Sequence, residues 1–168
     1  MLKSSLLEIL RTFTKQELIK FEDFVRSPYH NKKENVTKLF VEIKKFSPEF
    51  ADKNLGKEIV WDKVFPGLEY NYGIMKNLIF DLNKLTENFI IDLKFSKEEF
   101  KRSEYLISQL LERGLKKYYI KMDNSLNKEL NLFPDNVGKS SIDDYITLMS
   151  KIFDRKNFYG HMYEQNSI

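Results

Sequence analysis

Residues 72–93 read YGIMKNLIFDLNKLTENFIIDL. Within them Ile74, Leu78, Leu82, Leu85 and Phe89 recur at three- or four-residue spacing, the period of one helix face. Ile79, Phe80, Ile90 and Ile91 widen that face, which predicts a central helix rather than a peripheral one. Working toward the N-terminus, Pro66-Gly67 stops a short helix over Glu58 to Val64 that places Trp61 and Phe65 near its buried side. Residues 49–57 read as a connector. A helix from Lys33 to Phe46 carries the stripe Val36, Leu39, Phe40 and Ile43, with Pro48 just beyond its end. Before it, Thr14 and Glu17 have the spacing of a capping box. Leu18, Phe21, Phe24 and Val25 follow on one face until Ser27-Pro28 ends the segment. Leu6, Leu7 and Leu10 line a first helix over Ser4 to Arg11.

Toward the C-terminus, Ser96 and Glu99 form a second possible capping box ahead of Phe100, Ile107, Leu110 and Leu111. Gly114 marks a weak point or a bend, and Leu115 to Leu132 either resumes as a separate helix or continues an interrupted one. Residues 134–141 hold Pro, Asp, Asn, Gly and two Ser, the composition of a flexible loop. Ile142, Tyr145, Ile146, Met149, Ile152 and Phe153 then form the apolar side of a last helix. Aromatic residues precede proline in Phe46-Ser47-Pro48, Phe65-Pro66 and Phe133-Pro134. The ring closes the apolar seam and the proline stops the helix.

These segments predict an all-α protein, an irregular multi-helix bundle with hairpins resembling helical repeats toward the C-terminus. The full spacing of a tetratricopeptide repeat is not present. The expected organisation is a main helical domain over 1–133, the loop 134–141, and a C-terminal helix in 142–168 packed on the main domain or on a neighbouring chain. Composition agrees. Six glycines and four prolines in 168 residues suit long helices better than turn-rich β structure. Fourteen Phe, nine Tyr and one Trp supply a large aromatic interior.

Little in the sequence speaks for catalysis. Absence of cysteine removes disulfides, thiolate nucleophiles and zinc–sulfur sites, and agrees with a cytoplasmic protein. No phosphate-cradling glycine loop occurs. Neither histidine has an identifiable orienter or nucleophile: His30 lies in a polar loop and His161 near the C-terminus. Asp143-Asp144 has no metal-loop pattern, and neither Glu22-Asp23 nor Glu98-Glu99 is singled out as a catalytic pair. The expectation is a protein that is not an enzyme, with no cofactor and no metal. No run approaches the length of a membrane span, so no membrane partner is expected.

A net charge of +3 is mild, and no polybasic arm occurs. Lys32-Lys33, Lys44-Lys45 and Lys116-Lys117 are small basic clusters, with Tyr29, Tyr118 and Tyr119 near two of them. Lysines on phosphate and tyrosines stacked on unpaired bases would make a nucleic-acid surface. Solvated lysines and boundary tyrosines explain the same pattern more simply. The preferred expectation is an interaction or scaffold domain with a protein partner or self-association. Tyr29, His30, Lys32, Lys33, Tyr118 and Tyr119 are its candidate surface residues, and clustered-lysine nucleic-acid binding is the alternative.

Several segments add a resemblance: Phe13-Thr14 through Ser27-Pro28-Tyr29-His30-Asn31-Lys32, Phe65-Pro66-Gly67, Asp81-Leu82-Asn83-Lys84-Leu85, and Leu110-Leu111-Glu112-Arg113-Gly114-Leu115. Together the chain resembles an uncharacterised all-helical protein family of Bacteroidetes-like bacteria, over roughly residues 6–130. The resemblance implies a bacterial cytoplasmic helical protein, often longer than this one, and carries no active-site residues.

Overall fold

A computed structural model describes residues 4–51, 53–115, 117, 118, 120, 121 and 124. The chain divides into two compact units, Met1–Lys94 and Phe95–Ile168. Among the described residues there are helices and no strand. In order they are α1 (Ser5–Leu10), α2 (Lys15–Arg26), α3 (Glu34–Lys44), a 3-10 turn (Lys53–Leu55), α4 (Lys57–Val64), α5 (Tyr72–Phe95) and α6 (Glu99–Glu112). The protein is all-α, as its periodicity predicts.

In the first unit the helix starts and stops follow local chemistry. The Glu17 amide donates to the Thr14 hydroxyl oxygen at 3.2 Å, and the Thr14 amide donates back to the Glu17 carboxylate at 2.8 Å. The expected capping box therefore opens α2, satisfying two donors that the helix itself leaves unpaired. Ser27, held extended by the proline that follows, closes the same helix.

Phe21 is the hub of the core. It is fully buried. Its ring lies 4.7 Å from Phe40 of α3, 5.1 Å from Phe89 of α5, 5.7 Å from Phe13 and 6.5 Å from Phe24, centroid to centroid. Phe89 also meets Phe13 and Phe24, so one aromatic cluster joins α2, α3 and α5. Edge-on and tilted ring pairs of this kind add about 0.5–1.5 kcal/mol beyond area burial. On α4, Trp61 is buried between Phe65 and Tyr70. Its indole N–H donates to the Leu68 carbonyl at 2.9 Å, so the polar end of the ring is satisfied inside the core.

Trp61, Leu78, Leu82, Leu85 and Phe89, the expected centre of the core, are all buried. The rest of the predicted α5 stripe needs correction. Met75, not Ile74, continues the buried line, and Ile74 is exposed. Phe80, Ile90 and Ile91 are exposed as well, and Ile79 is partly buried. At about 100° per residue, Phe80 and Ile91 point roughly opposite to Leu82 and Phe89. They cannot share a side with them, and α5 buries one face in this unit. The polar group on that face is Thr86, whose hydroxyl donates to the Leu82 carbonyl one turn back at 2.8 Å.

The 49–57 connector contributes more than expected. Phe50 and Leu55 are fully buried in the core cluster. Phe50 has φ 49, a left-handed conformation that costs an aromatic residue on the order of 1 kcal/mol. Three hydrogen bonds hold this turn. Its amide donates to the Phe46 carbonyl at 2.8 Å, and the Arg11 guanidinium donates to the Glu49 and Phe50 carbonyls, both at 2.9 Å.

In the second unit α6 begins at Glu99, and Ser96 lies in the turn before it rather than at the helix edge. Gly114 ends α6 with φ 71, and the Leu115 amide reaches back to the Leu110 carbonyl at 2.8 Å. That six-to-one bond around a left-handed glycine is a Schellman stop, so the expected weak point is a helix terminus. Ile107 of α6 is buried, and Phe95 meets Tyr105 at 5.7 Å. The loop 134–141 and the helix expected in 142–168 lie outside the described residues.

Candidate interaction surface

The loop after α2 is built on Asn31. The Ser27 carbonyl accepts from the His30 and Asn31 amides at 3.1 and 2.9 Å, turning the chain just past Pro28. The Asn31 side-chain amide donates to the Val25 carbonyl (2.9 Å), the Thr37 hydroxyl oxygen (3.0 Å) and the Lys33 carbonyl (3.2 Å). Its oxygen accepts from the Lys33 amide at 2.9 Å. One side chain thus clamps the end of α2 to the start of α3. Such a small polar residue, able to pair with backbone on either side, is what a rigid loop requires.

On this frame His30 stacks on Phe24 with centroids 3.8 Å apart and planes 19° apart. The histidine extends the aromatic core outward. Tyr29 lies nearly perpendicular to the His30 ring at 5.0 Å and is 88% exposed at the tip of the turn. Lys33 reaches Asp81 of α5 at 2.7 Å, which ties the loop to α5. Lys32 is exposed. Tyr29, His30, Lys32 and Lys33 are therefore one local surface of the first unit. Tyr118 is exposed and belongs to the second unit, and Tyr119 lies outside the described residues.

Three of the six cluster lysines are paired with carboxylates. Lys33 pairs with Asp81, Lys44 with Glu22 at 2.6 Å, and Lys45 with Glu42 at 2.7 Å. Lys116 lies outside the described residues, and Lys117 is exposed. The Lys44 ammonium beside Glu22, together with Arg26, holds the Glu22 carboxyl below the usual carboxylate range. Pairing of this kind lowers the positive potential that phosphate binding draws on. Among the described residues no group of three or more His, Asp or Glu side chains is placed to hold a metal ion.

Two large apolar side chains also stand exposed on the solvent face of α5. Phe80 is 60% exposed and Ile91 64% exposed. The Lys84 ammonium sits 5.7 Å from the centre of the Phe80 ring, on the same face. The signal for this face was present in the sequence as an apolar arc too wide for one buried side.

A scan against protein-family models, a search of curated proteins and a search of solved structures found no match for this chain.

Proposed function

We propose that this protein is a non-enzymatic interaction or scaffold domain that binds protein through its first unit. The observation that carries the reading is the outward face of α5, where Phe80 and Ile91 stand in solvent on a helix whose opposite side is fully packed. The backbone that carries these apolar side chains is already helical, so little backbone freedom is lost on binding, which favours a docking role. Tyr29 adds an exposed aromatic ring of the kind enriched at contact hot spots. The pairing of Lys33, Lys44 and Lys45 with carboxylates favours this reading over nucleic-acid binding. The family resemblance supports a bacterial cytoplasmic setting.

The test is affinity capture from cells of the source organism with the wild type and with Phe80→Glu/Ile91→Glu. Both positions are exposed, so thermal stability should be unchanged and captured proteins should be lost. Identical capture by both forms would remove the α5 face from the reading. Titration with single- and double-stranded DNA and RNA at two salt concentrations should show no salt-dependent binding. A steep salt slope would instead establish the nucleic-acid alternative.

A further inference from the structure

The outer face of α5 is complementary to itself. Phe80, Lys84, Glu87 and Ile91 follow one another at spacings of four, three and four residues. At about 100° per residue they fall within an arc of about 60°, the a/d seam of a coiled coil. All four are exposed, and the seam is roughly 16 Å long at 1.5 Å per residue. Its pattern is apolar, positive, negative, apolar.

Placing a second α5 antiparallel about a two-fold axis between Leu85 and Thr86 sets Phe80 against Ile91 of the second copy and Lys84 against its Glu87. The axis then generates the same two pairs again. A parallel alignment in register would instead set lysine on lysine and glutamate on glutamate. The charge order therefore selects one orientation, as polar residues inside coiled-coil seams do. Each antiparallel layer pairs an a position with a d position, the arrangement that antiparallel helices adopt.

We propose that this chain self-associates as an antiparallel dimer through the outer face of α5, with two Phe80–Ile91 layers flanking two Lys84–Glu87 pairs. The proposal rests on the interaction reading above and names its partner as a second copy. Within one chain both charged groups already have company on the surface. Lys84 lies over the Phe80 ring, and Glu87 accepts from the Asn83 side-chain amide at 2.6 Å. The central pairs thus supply register and orientation, and the Phe80 and Ile91 layers supply the apolar area. A seam this short is expected to give a weak, concentration-dependent dimer.

Sedimentation equilibrium of the purified full chain from about 10 μM to about 1 mM tests this. Wild type should shift from monomer to dimer across the range. Lys84→Glu alone and Glu87→Lys alone each set like charges opposite one another, and should weaken the dimer about tenfold or more. The double reversal, Lys84→Glu with Glu87→Lys, restores complementarity and should recover the dimer. Unchanged melting temperatures keep the comparison free of folding defects. A wild type that stays monomeric throughout, or a dimer indifferent to the single reversals, overturns the inference. If capture from cells still depends on Phe80 and Ile91 while the purified chain stays monomeric, the dimer fails and the interaction reading stands.

Discussion

Replacing Phe21 with alanine should be among the most damaging single changes in the first unit. The side chain is fully buried and meets Phe13, Phe24, Phe40 and Phe89. Burying a phenylalanine and then truncating it to alanine costs about 3–5 kcal/mol, including the cavity left behind. The ring contacts are part of that total, and neighbouring terms are not additive. Phe21→Leu keeps most of the apolar volume and forfeits the ring geometry, so about 1–2 kcal/mol is expected. The sole tryptophan of the chain, Trp61, is buried in the same cluster, so its fluorescence in urea reports on this unit directly. With a denaturant slope of about 2 kcal/mol per molar, Phe21→Ala should lower the midpoint by roughly 2 M. Ile19→Ala is the control, because Ile19 lies on the exposed side of the same helix. If Phe21→Ala and Ile19→Ala shift the midpoint equally, Phe21 is not the hub.

Thr14→Ala should cost about 1 kcal/mol by removing the capping-box hydroxyl, whereas Thr14→Ser should be nearly neutral, both read from the same urea curves. Asn31→Ala removes the amide donor of the Val25 carbonyl, which keeps a longer bond from the Thr37 hydroxyl at 3.3 Å, and should cost about 1 kcal/mol, with faster amide exchange across residues 27–33 as the local readout. Glu22→Gln should lower the melting temperature slightly at neutral pH, by the equivalent of at most about 1 kcal/mol for a partly exposed pair. Because the folded carboxyl titrates below its usual value of 4.5, its contribution is present above that pH and disappears as pH falls through the folded value. Melting curves of wild type and variant should therefore converge in acid, and a gap that persists at low pH would exclude the ion pair as its cause.

The helices could be read from the chain because the information that makes them is local. The Thr14–Glu17 box, the proline after Ser27, Gly114 and the apolar period of α5 all act within a few residues. Apolar spacing also marks Trp61, Leu78, Leu82, Leu85 and Phe89 as core. It misleads where two faces of one helix are both apolar. Periodicity reports that Phe80 and Ile91 are hydrophobic, and carries no term for whether another helix covers them. Phe50 and Leu55 escaped notice for the opposite reason: an irregular segment has no period to reveal which side chains turn inward.

Sequence alone sufficed for fold class, most helix limits and the centre of the core, because hydrogen-bonded turns and apolar spacing are properties of neighbouring residues. Tertiary structure decided which face of α5 meets water, that Lys33 is neutralised by an aspartate 48 positions away, and that His30 belongs to the aromatic stack. Those outcomes depend on which segments meet in space, and contacts between distant segments are settled only when the chain closes on itself.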